Sequence, residues 1–390
     1  MKKILFVTDE RQMGGVSIVL EDYLNNIDFK NNKVDLLVLH NNGDRLKNIP
    51  KEINIIYGDK YFDVVDLSFN SLLKNGKIIK AMRKAFMSIM MKTGLIEKYI
   101  INARKKLNIC DYDIEIAFKD GFCTLFTGFG DSKKKVNWVH SDYATNSGAI
   151  DKYINIFKNV ISKFDTIVTL SSDIQNSFVQ KLGLHKNIEI INNFFDYKKI
   201  ANMSSETIDI HLHSSKLNLI CAGRLCYIKG FDRLLDALNM LKKENLTSKL
   251  HIDIIGDGED YSNLKSKIEE YDLKDTVTLL GKKDNPYAYM KKYDSVLLTS
   301  RAEAYCLVMV EALILKKPVL TTKVASSYEI LCNEKYGVIT ENSTDGIYNM
   351  LKNVILNKDI IHEKSQNLLQ YDYSAKNATI IKQVQDLLEV

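Results

Sequence analysis

The chain has 390 residues, of which 45 % are hydrophobic and 26 % charged, with a formal net charge of +5. This length suits two domains better than one, and the composition is typical of a globular protein that can fill two cores. The six cysteines form no C-x-x-C pair and no Cys/His cluster. They argue against a disulfide or zinc scaffold and favour reduced thiols in a reducing compartment.

The amino terminus gives no indication of export. Met1, Lys2 and Lys3 lead directly into a strand-like run, which is not the pattern of a secretory leader. No uncharged apolar stretch reaches the roughly 18 residues that a membrane-spanning helix needs. We therefore expect a cytoplasmic protein without a transmembrane helix.

The first half of the chain alternates between short apolar runs and helical patterns. The run "KILFVT" is followed by apolar residues at helical spacing over residues 16–27, and then by the strand-like runs "VDLLVLH" and "INIIY". Further strands are expected at residues 113–118, 136–140, 166–170 and 188–191. Strands that alternate with helices predict a parallel sheet wound with crossover helices.

A basic helical insertion is expected within this half, at about residues 72–107. Residues 74–106 carry ten Lys or Arg against one acid, Glu97, so this window has a charge of +9 and the rest of the chain about −4. One helical face would be apolar, with Ile78, Ile79, Met82, Phe86, Ile89, Met90 and Thr93. The opposite side would carry Lys77, Lys80, Arg83 and Lys84.

A basic amphipathic helix of this kind predicts docking on an anionic membrane surface. The alternative is a helix whose apolar face packs on the core while its lysine face is solvated. Nucleic acid is a weaker interpretation, because the basic window lies in no recognised nucleic-acid-binding fold.

The second half repeats the alternation after a polar stretch at residues 201–216. Strands are expected at 217–222, 250–255, 277–280, 295–299 and 318–321, and helices at 231–241, 261–271, 286–293 and 307–315. The sequence therefore predicts an α/β protein with two doubly wound domains, 1–195 and 196–370. Ligands of such sheets bind beyond the carboxyl ends of the strands, so two domains that face each other would place the site in the cleft between them.

Two loops at such strand ends suit an anion. Gly14 and Gly15 precede the first helix, where glycines let backbone amides approach a ligand; the alternative is a plain flexible turn. In "CAGRLCYIKG", Gly223 and Arg224 end a strand and Lys229 precedes a helix. A guanidinium fork and a compact ammonium together suit a diphosphate, although two solvated surface cations are the alternative.

Two further segments carry glycines or carboxylates. The turn "IIGDGEDYSNL" brings Gly256 before a helix, but Tyr261 holds the last place of the G-x-G-x-x-G pattern, so it is weak evidence alone. In "TSRAEAYCLVMVEALILKK", Glu303 precedes a helix and Glu311 lies within its apolar sequence. A buried carboxylate needs a partner. Sugar hydroxyls are suitable donors to Glu311, and a structural role at a local backbone is the alternative.

Taken in order, the Gly-Gly loop, Arg224 with Lys229-Gly230, "GDGED" and the two glutamates resemble the retaining glycosyltransferases of family four, of the bacterial cell-surface polysaccharide type. The resemblance is good over residues 215–330 and looser over 1–195, where "NWVHSDY" is similar to the family's strand that ends in a histidine. It implies the GT-B fold, with two Rossmann-like domains facing across a cleft.

The resemblance also implies roles for particular side chains. Arg224 and Lys229 would neutralise the donor diphosphate, and Glu311 would hold the ribose hydroxyls. Glu303 and His140 would contact the donor sugar. The family's mechanism uses front-face attack and needs no protein nucleophile, and Asp142 is at least as well explained as a loop carboxylate as by a catalytic role.

Other donor contacts implied by the resemblance involve the following positions: Gly14, Gly15, Gly223, Gly256, Gly281, Lys282, Tyr305, Cys306, Leu307 and Val308. Asn193 resembles the hinge asparagine of an N-x-x-D segment, and residues 371–390 resemble the family's final helix, which returns to the first domain. Ala304 departs from the pattern, because the family usually has glycine there, and this leaves the donor sugar open.

The implied activity is transfer of a sugar from a nucleoside-diphosphate sugar to a hydroxyl of a lipid-linked glycan. UDP is preferred because it is common in the family. The product would belong to a bacterial capsule, exopolysaccharide or lipopolysaccharide, made at the inner face of the membrane without a metal or cofactor. The alternatives are a GT-B sugar-nucleotide epimerase and a non-catalytic GT-B subunit that supports a partner transferase.

Overall fold

The computed structural model describes residues 1–9, 15–40, 48–65, 67–145, 148–183 and 187–389. These residues form two compact units. Unit 1 comprises Met1–Phe195 together with Ala378–Val390, and unit 2 comprises Asp196–Asn377. Each unit is built around its own parallel sheet, as the alternating sequence pattern predicts.

The sheet of unit 1 has seven described strands in the order β3-β2-β1-β4-β5-β6-β7, all paired in parallel. Its strands are β1 (Lys2–Thr8), β2 (Asn32–Val38), β3 (Asn54–Tyr57), β4 (Ile114–Ala117), β5 (Lys134–Val139), β6 (Thr166–Thr169) and β7 (Ile188–Ile190). Ile4 lies opposite both Val34 and Ile114, and all three side chains are buried. Continuous apolar runs form these strands because helices cover both faces of a parallel sheet.

The helices of unit 1 are α1 (Gly15–Leu24), α2 (Phe69–Lys74), α3 (Ile78–Thr93), α4 (Ile96–Lys106), α5 (Phe122–Gly128), α6 (Gly148–Lys152), α7 (Ile154–Ile161) and α8 (Ser172–Leu182). The side chain of Ser68 caps α2 by accepting a hydrogen bond from the Ser71 amide. Gly94 ends α3 with a left-handed φ of 74°, a conformation that glycine adopts without strain.

A buried ion pair ties the basic segment to the sheet. Arg104, near the end of α4, donates to both carboxylate oxygens of Glu115 in β4, at 2.9 Å from Nη1 and 2.5 Å from Nη2. Burial raises the pKa of Glu115 although Arg104 opposes that effect. Since Glu115 is fully enclosed, Arg104 fixes where α4 lies on the sheet.

The sheet of unit 2 has six described strands in the order β10-β9-β8-β11-β12-β13, again all parallel. Its strands are β8 (Leu217–Ala222), β9 (Leu250–Ile255), β10 (Val277–Gly281), β11 (Ser295–Leu298), β12 (Val319–Thr322) and β13 (Gly337–Thr340). The first five were predicted from sequence to within a residue or two; β13 was not.

The helices that follow are α9 (Tyr197–Ser204), α10 (Phe231–Lys243), α11 (Tyr261–Glu270), α12 (Pro286–Met290), α13 (Leu307–Ile314), α14 (Ser327–Ile330), α15 (Thr344–Leu356), α16 (Asp359–Leu369) and α17 (Tyr373–Leu387). The last helix begins in unit 2 and ends in unit 1. Within unit 1, Gln383 of α17 donates to the carbonyl of Ile190 at 3.2 Å, and Lys2 Nζ donates to the carbonyl of Leu388 at 3.0 Å.

In both sheets the chain first builds strands outward on one side and then returns to build on the other. The reversal lies between β1 and β4 in unit 1, and between β8 and β11 in unit 2. Loops diverge at such a point and leave a crevice at the carboxyl edge, where open α/β sheets bind their ligands. In the described part of the chain, no helix combines the length and apolar character needed to cross a membrane.

Candidate active site

The crevice of unit 2 lies between the loops that follow β8 and β11. The loop after β8 contains a single 3-10 turn, Tyr227–Lys229, and Gly230 then starts α10 with a φ of +68°. A Cβ atom at Gly230 would overlap the carbonyl oxygen of Thr299, so only glycine permits this close approach of the two loops. The hydroxyl of Thr299 donates to the carbonyl of Lys229 at 3.1 Å and holds the turn in place.

A second clamp on the same turn was not foreseen from the sequence. Arg301 donates to both carboxylate oxygens of Asp232, at 2.7 and 2.6 Å. Its guanidinium carbon lies 3.8 Å from the centroid of the Tyr227 ring, and its backbone amide donates to the carbonyl of Ile228 at 2.7 Å. The bidentate pair and the stacked ring make Arg301 the main positioning residue for the Lys229 loop.

Lys229 and Glu303 form the centre of the crevice. Lys229 Nζ lies 2.6 Å from Glu303 Oε1, and the Ser300 hydroxyl donates to the same oxygen at 2.7 Å. Burial by itself disfavours the lysine charge, but the Glu303 carboxylate outweighs this and raises the pKa of Lys229 above its usual value. Lys229 is therefore a fixed cation across neutral pH.

Arg224 is held differently. Its Nη2 and Nε atoms lie 3.1 and 3.2 Å from Glu259 Oε2, and both side chains are more than half exposed. An exposed pair of this kind contributes at most about 1 kcal/mol. Arg224 can therefore exchange Glu259 for another anion at little cost.

The glycines of "GDGED" bring the loop after β9 against the Arg224 loop. A Cβ atom at Gly256 would overlap the carbonyl oxygen of Gly223, and one at Gly258 would overlap the carbonyl oxygen of Leu225. The two loops also exchange backbone hydrogen bonds, from the Leu225 amide to Asp257 and from the Asp260 amide to Leu225, both at 3.0 Å. The segment thus supports the loop that carries Arg224.

The amino terminus of α13 also lies at this edge of the sheet. Cys306 precedes the helix in an extended conformation, and its side chain makes no capping hydrogen bond. Burial raises the pKa of the Cys306 thiol to about 12. Tyr305 is buried, while Leu307 and Val308 are half-buried, and the carbonyl of Ala304 accepts a hydrogen bond from Ser326 at 2.8 Å. An anion beside the first-turn amides would gain from the helix dipole.

Glu311 differs from the buried carboxylate that the sequence suggests. Its side chain is half-buried, and Tyr287 of α12 donates to its Oε1 at 3.1 Å. Gly281, at the end of β10, has a φ of +70° and open space around it, and Lys282 is exposed. The loops after β8 and β11 therefore bring Arg224, Lys229 and Glu303 to the same edge of the sheet as the amino terminus of α13.

His140 lies in unit 1, directly after β5. Its ring centroid is 5.0 Å from that of Phe118, and its Nε2 atom is buried without a hydrogen-bond partner among the described residues. Burial and the nearby Lys119 lower the pKa of His140 to about 3, so the imidazole is neutral at physiological pH. A neutral ring with an unused nitrogen can exchange a hydrogen bond with a ligand hydroxyl.

The structure describes three of the four other predicted positions in unit 1, which are Gly14, Gly15, Asp142 and Asn193. Gly15 is the first residue of α1, whereas Gly14 lies outside the described residues. Asp142 accepts hydrogen bonds from the Ala144 amide and the Thr145 hydroxyl, both at 3.0 Å, as a turn carboxylate does. Asn193 is buried, three residues before the carboxylate that caps α9.

A cluster of histidines lies elsewhere in unit 2. His211 and His213, which we interpret from sequence as loop residues, have ring centroids 5.7 Å apart, and His213 lies 4.6 Å from His251. Within the described ranges, no group of three or more His, Cys, Asp or Glu side chains is arranged to hold a metal ion.

The basic segment exposes its apolar side. An apolar stripe on α2 and α3 has exposed fractions between 43 % and 68 %, and it comprises Phe69, Leu73, Ile78, Ile79, Met82 and Ile89. The face that packs on the protein holds Ala81, Met87 and Met91 instead. Phe86, another member of the predicted apolar face, is half-buried, with its ring centroid 5.1 Å from that of Tyr61 and 5.6 Å from that of Tyr99. The alternative of a core-facing apolar side therefore holds for part of the helix only. Lys84 also turns inward, and its Nζ donates to the carbonyl of Val65 at 2.5 Å.

Comparison with known proteins finds similarity to glycosyltransferases. Residues 204–373 match the family described as Glycosyl transferases group 1. An N-acetyl-alpha-D-glucosaminyl L-malate synthase of Bacillus anthracis is 24 % identical over 56 % of this chain and 57 % of its own length. A poly(ribitol-phosphate) alpha-N-acetylglucosaminyltransferase of Staphylococcus aureus is 23 % identical over 81 % of this chain and 63 % of its own length. The matches thus span less than two thirds of these relatives.

Among solved structures, Anabaena HepE in complex with UDP superposes with a TM-score of 0.70 at 19 % identity, covering 100 % of this chain and 99 % of that one. Together with the two parallel-sheet units, this confirms the predicted GT-B fold. The family match covers less than half of the chain, and it shows that residues 204–373 are similar to a group 1 glycosyltransferase domain.

Proposed function

We propose that this chain is a retaining glycosyltransferase that moves a sugar from a nucleoside-diphosphate sugar, with UDP as the nucleotide, to a hydroxyl of a bacterial cell-surface glycan. The observation that carries the proposal is the Lys229–Glu303 pair at the switch point of a domain that matches group 1 glycosyltransferases. The names of the S. aureus relative and of the UDP complex support the substrate classes.

The donor would bind along the carboxyl edge of unit 2. Lys229 and Arg224 would neutralise the diphosphate, with the first-turn amides of α13 adding further positive potential. Glu311 would accept hydrogen bonds from the ribose hydroxyls, and Glu303 from a hydroxyl of the sugar. The backbone at Gly281 and Lys282 would face the base. His140 of unit 1 would contribute a neutral imidazole to the sugar.

We propose that the sugar is transferred by front-face attack. The bond between the anomeric carbon and the β-phosphate oxygen breaks, and its electron pair moves onto that oxygen. The acceptor hydroxyl oxygen bonds to the same face of the anomeric carbon, and its proton passes to the departing phosphate oxygen. Lys229 and Arg224 stabilise the charge that develops on the diphosphate, as preorganised cations do in many transferases. We propose that these two cations make a metal unnecessary.

The experiment is a thermal-shift screen of the purified protein against UDP, GDP, ADP, CDP and their common sugar conjugates. A ligand at about 100 times its dissociation constant stabilises a protein by about 2.7 kcal/mol. We expect one nucleotide to shift the melting temperature, with chelator present or absent. Absence of any shift would favour a non-catalytic subunit. Donor conversion into an epimer without acceptor would favour the epimerase.

We further propose that the enzyme acts on a lipid-linked glycan at the cytoplasmic face of the membrane, where it binds peripherally. The apolar stripe is exposed on both α2 and α3, and Lys74, Lys77, Lys80 and Arg83 lie in the same two helices and the turn between them. Apolar side chains inserted at the interface and cations beside anionic headgroups are the two contributions that hold such helices on membranes.

Vesicle flotation tests this surface. We expect binding to phosphatidylglycerol vesicles, weaker binding at high salt, and loss of binding in Met82→Asp. The matched control is Leu369→Asp on α16, because Leu369 and Met82 are each 68 % exposed. Vesicle binding that does not change with salt would refute the electrostatic contribution. If Met82→Asp and Leu369→Asp lose vesicle binding equally, the apolar stripe is not the membrane-binding surface.

A further inference from the structure

Unit 1 contains a cavity of about 670 Å³ on the inner side of α3. Its walls are α3, the start of α5, and α6 with α7. Gly121, in the loop between β4 and α5, also lines it. The cavity therefore lies at the carboxyl edge of the unit 1 sheet, beside the strand where the topology reverses. Its volume is within the range of small-molecule sites.

One side of this cavity is apolar. Met87 and Met91 line it from α3, Phe122 and Leu125 from α5, and Phe157 from α7. Methionine and aromatic side chains adapt to an irregular hydrocarbon chain, because thioethers are flexible and polarizable. This lining suits alkyl or prenyl carbons better than a sugar, which needs many hydrogen-bonding groups.

Positive charge lies at the same cavity. Lys84 reaches it from α3 and Lys152 from the end of α6, together with the hydroxyls of Ser68 and Ser88. Lys152 is exposed, with its Nζ 5.3 Å from the centroid of the Tyr153 ring. None of the described residues that line the cavity is acidic. Lys84 Nζ donates to the carbonyl of Val65 on the wall of the cavity, so Lys152 is the more exposed of the two ammonium groups. An apolar wall beside such cations matches a hydrocarbon chain that ends in a phosphate.

Helix α3 joins this cavity to the apolar stripe. Lys84, Met87, Ser88 and Met91, at helical spacing, face the cavity, while Ile78, Ile79, Met82 and Ile89 are exposed on the outer side. A single helix thus presents apolar groups to the proposed membrane on one side and to the cavity on the other. This continuity argues for a ligand that comes from the bilayer.

We propose that this cavity binds the phosphate-bearing end of a lipid carrier, with the first carbons of the lipid against the α3–α5 wall and the phosphate beside Lys152 and Lys84. The proposal deepens the proposed function, because it names the part of the acceptor that unit 1 holds. A donor site on unit 2 does not depend on it.

The test uses farnesyl phosphate as a probe, below its micellar concentration, in thermal-shift and calorimetric titrations of the full chain. Farnesol and inorganic phosphate are the partial probes. Ser88→Trp fills the cavity, Lys152→Glu reverses one charge, and Ser162→Trp is the matched control, since Ser162 is exposed at the end of α7 and does not line the cavity. Ser88→Leu replaces Ser88→Trp if the larger side chain prevents folding.

We expect farnesyl phosphate to bind more tightly than farnesol or phosphate, and about tenfold more weakly in Ser88→Trp and Lys152→Glu, since one charge-assisted contact contributes about that factor. Ser162→Trp should bind as the wild type does. Unchanged binding in a folded Ser88 variant, or equal binding of inorganic phosphate, would overturn the proposal. If a nucleotide raises the melting temperature but farnesyl phosphate does not bind, only the proposed lipid-phosphate site is refuted. If farnesyl phosphate binds but no nucleotide raises the melting temperature, only the proposed transferase activity is refuted.

Discussion

Replacing Lys229 with alanine tests the central contact of the candidate site. In the wild type, Nζ lies 2.6 Å from Glu303 Oε1, with the two side chains 25 % and 14 % exposed. The substitution removes the cation that would face the diphosphate. It also removes the cation beside the Glu303 carboxylate, whose Oε1 atom still accepts a hydrogen bond from the Ser300 hydroxyl at 2.7 Å. We expect both nucleotide affinity and stability to fall.

The size of each effect follows from the contacts. A hydrogen bond to a charged group contributes about 1.5–3 kcal/mol, and each 1.4 kcal/mol is a factor of ten. Nucleotide binding should therefore weaken by about ten- to hundredfold. A partly buried carboxylate that loses its cation should cost about 1–3 kcal/mol of folding free energy.

Titration calorimetry with the nucleotide and urea unfolding measure the two quantities separately. The double variant Lys229→Ala/Glu303→Gln removes the unpaired charge, so it should recover stability but not nucleotide affinity. Lys243→Ala, at the exposed far end of α10, should change neither. If Lys229→Ala binds nucleotide and turns over as the wild type does, the assignment of the site is refuted.

Four further substitutions probe the loops and His140. Gly256→Ala should destabilise strongly, because its Cβ would overlap a neighbouring carbonyl, whereas Gly281→Ala, in open space at φ +70°, should cost only about 1–2 kcal/mol in urea unfolding. Arg301→Lys should lower the melting temperature and raise KM for the donor more than it lowers kcat, since it loosens the Lys229 turn without touching the diphosphate; an unchanged KM would contradict this. The pKa of His140 is lowered to about 3 in the folded protein, so the unfolded chain binds the extra proton first as the pH falls. Wild-type stability should therefore decline below about pH 6.5 by up to about 1.4 kcal/mol per pH unit, and His140→Gln should remove this component; identical pH profiles would show that the ring is not buried in its neutral form.

Most of the secondary structure could be predicted because its signals are local. Apolar runs bounded by polar loops predicted five of the six described strands of unit 2 to within a residue or two. β13 was missed because "GVIT" is short and lacks a distinctive pattern. The loops that carry Arg224, Lys229 and Glu303 could also be predicted to form a site. Residues that follow parallel strands gather at one edge of the sheet, and each of these loops follows a predicted strand.

The chain by itself thus determined the doubly wound units and the chemistry available at their strand ends. Only the tertiary structure decided which groups meet. The Lys229–Glu303 and Arg301–Asp232 pairs join residues 74 and 69 positions apart, and no local pattern encodes them. Periodicity likewise divides α3 into two faces but does not say which is buried. The packing of Ala81, Met87 and Met91 against unit 1 settled that, and it left Ile78, Ile79, Met82 and Ile89 exposed.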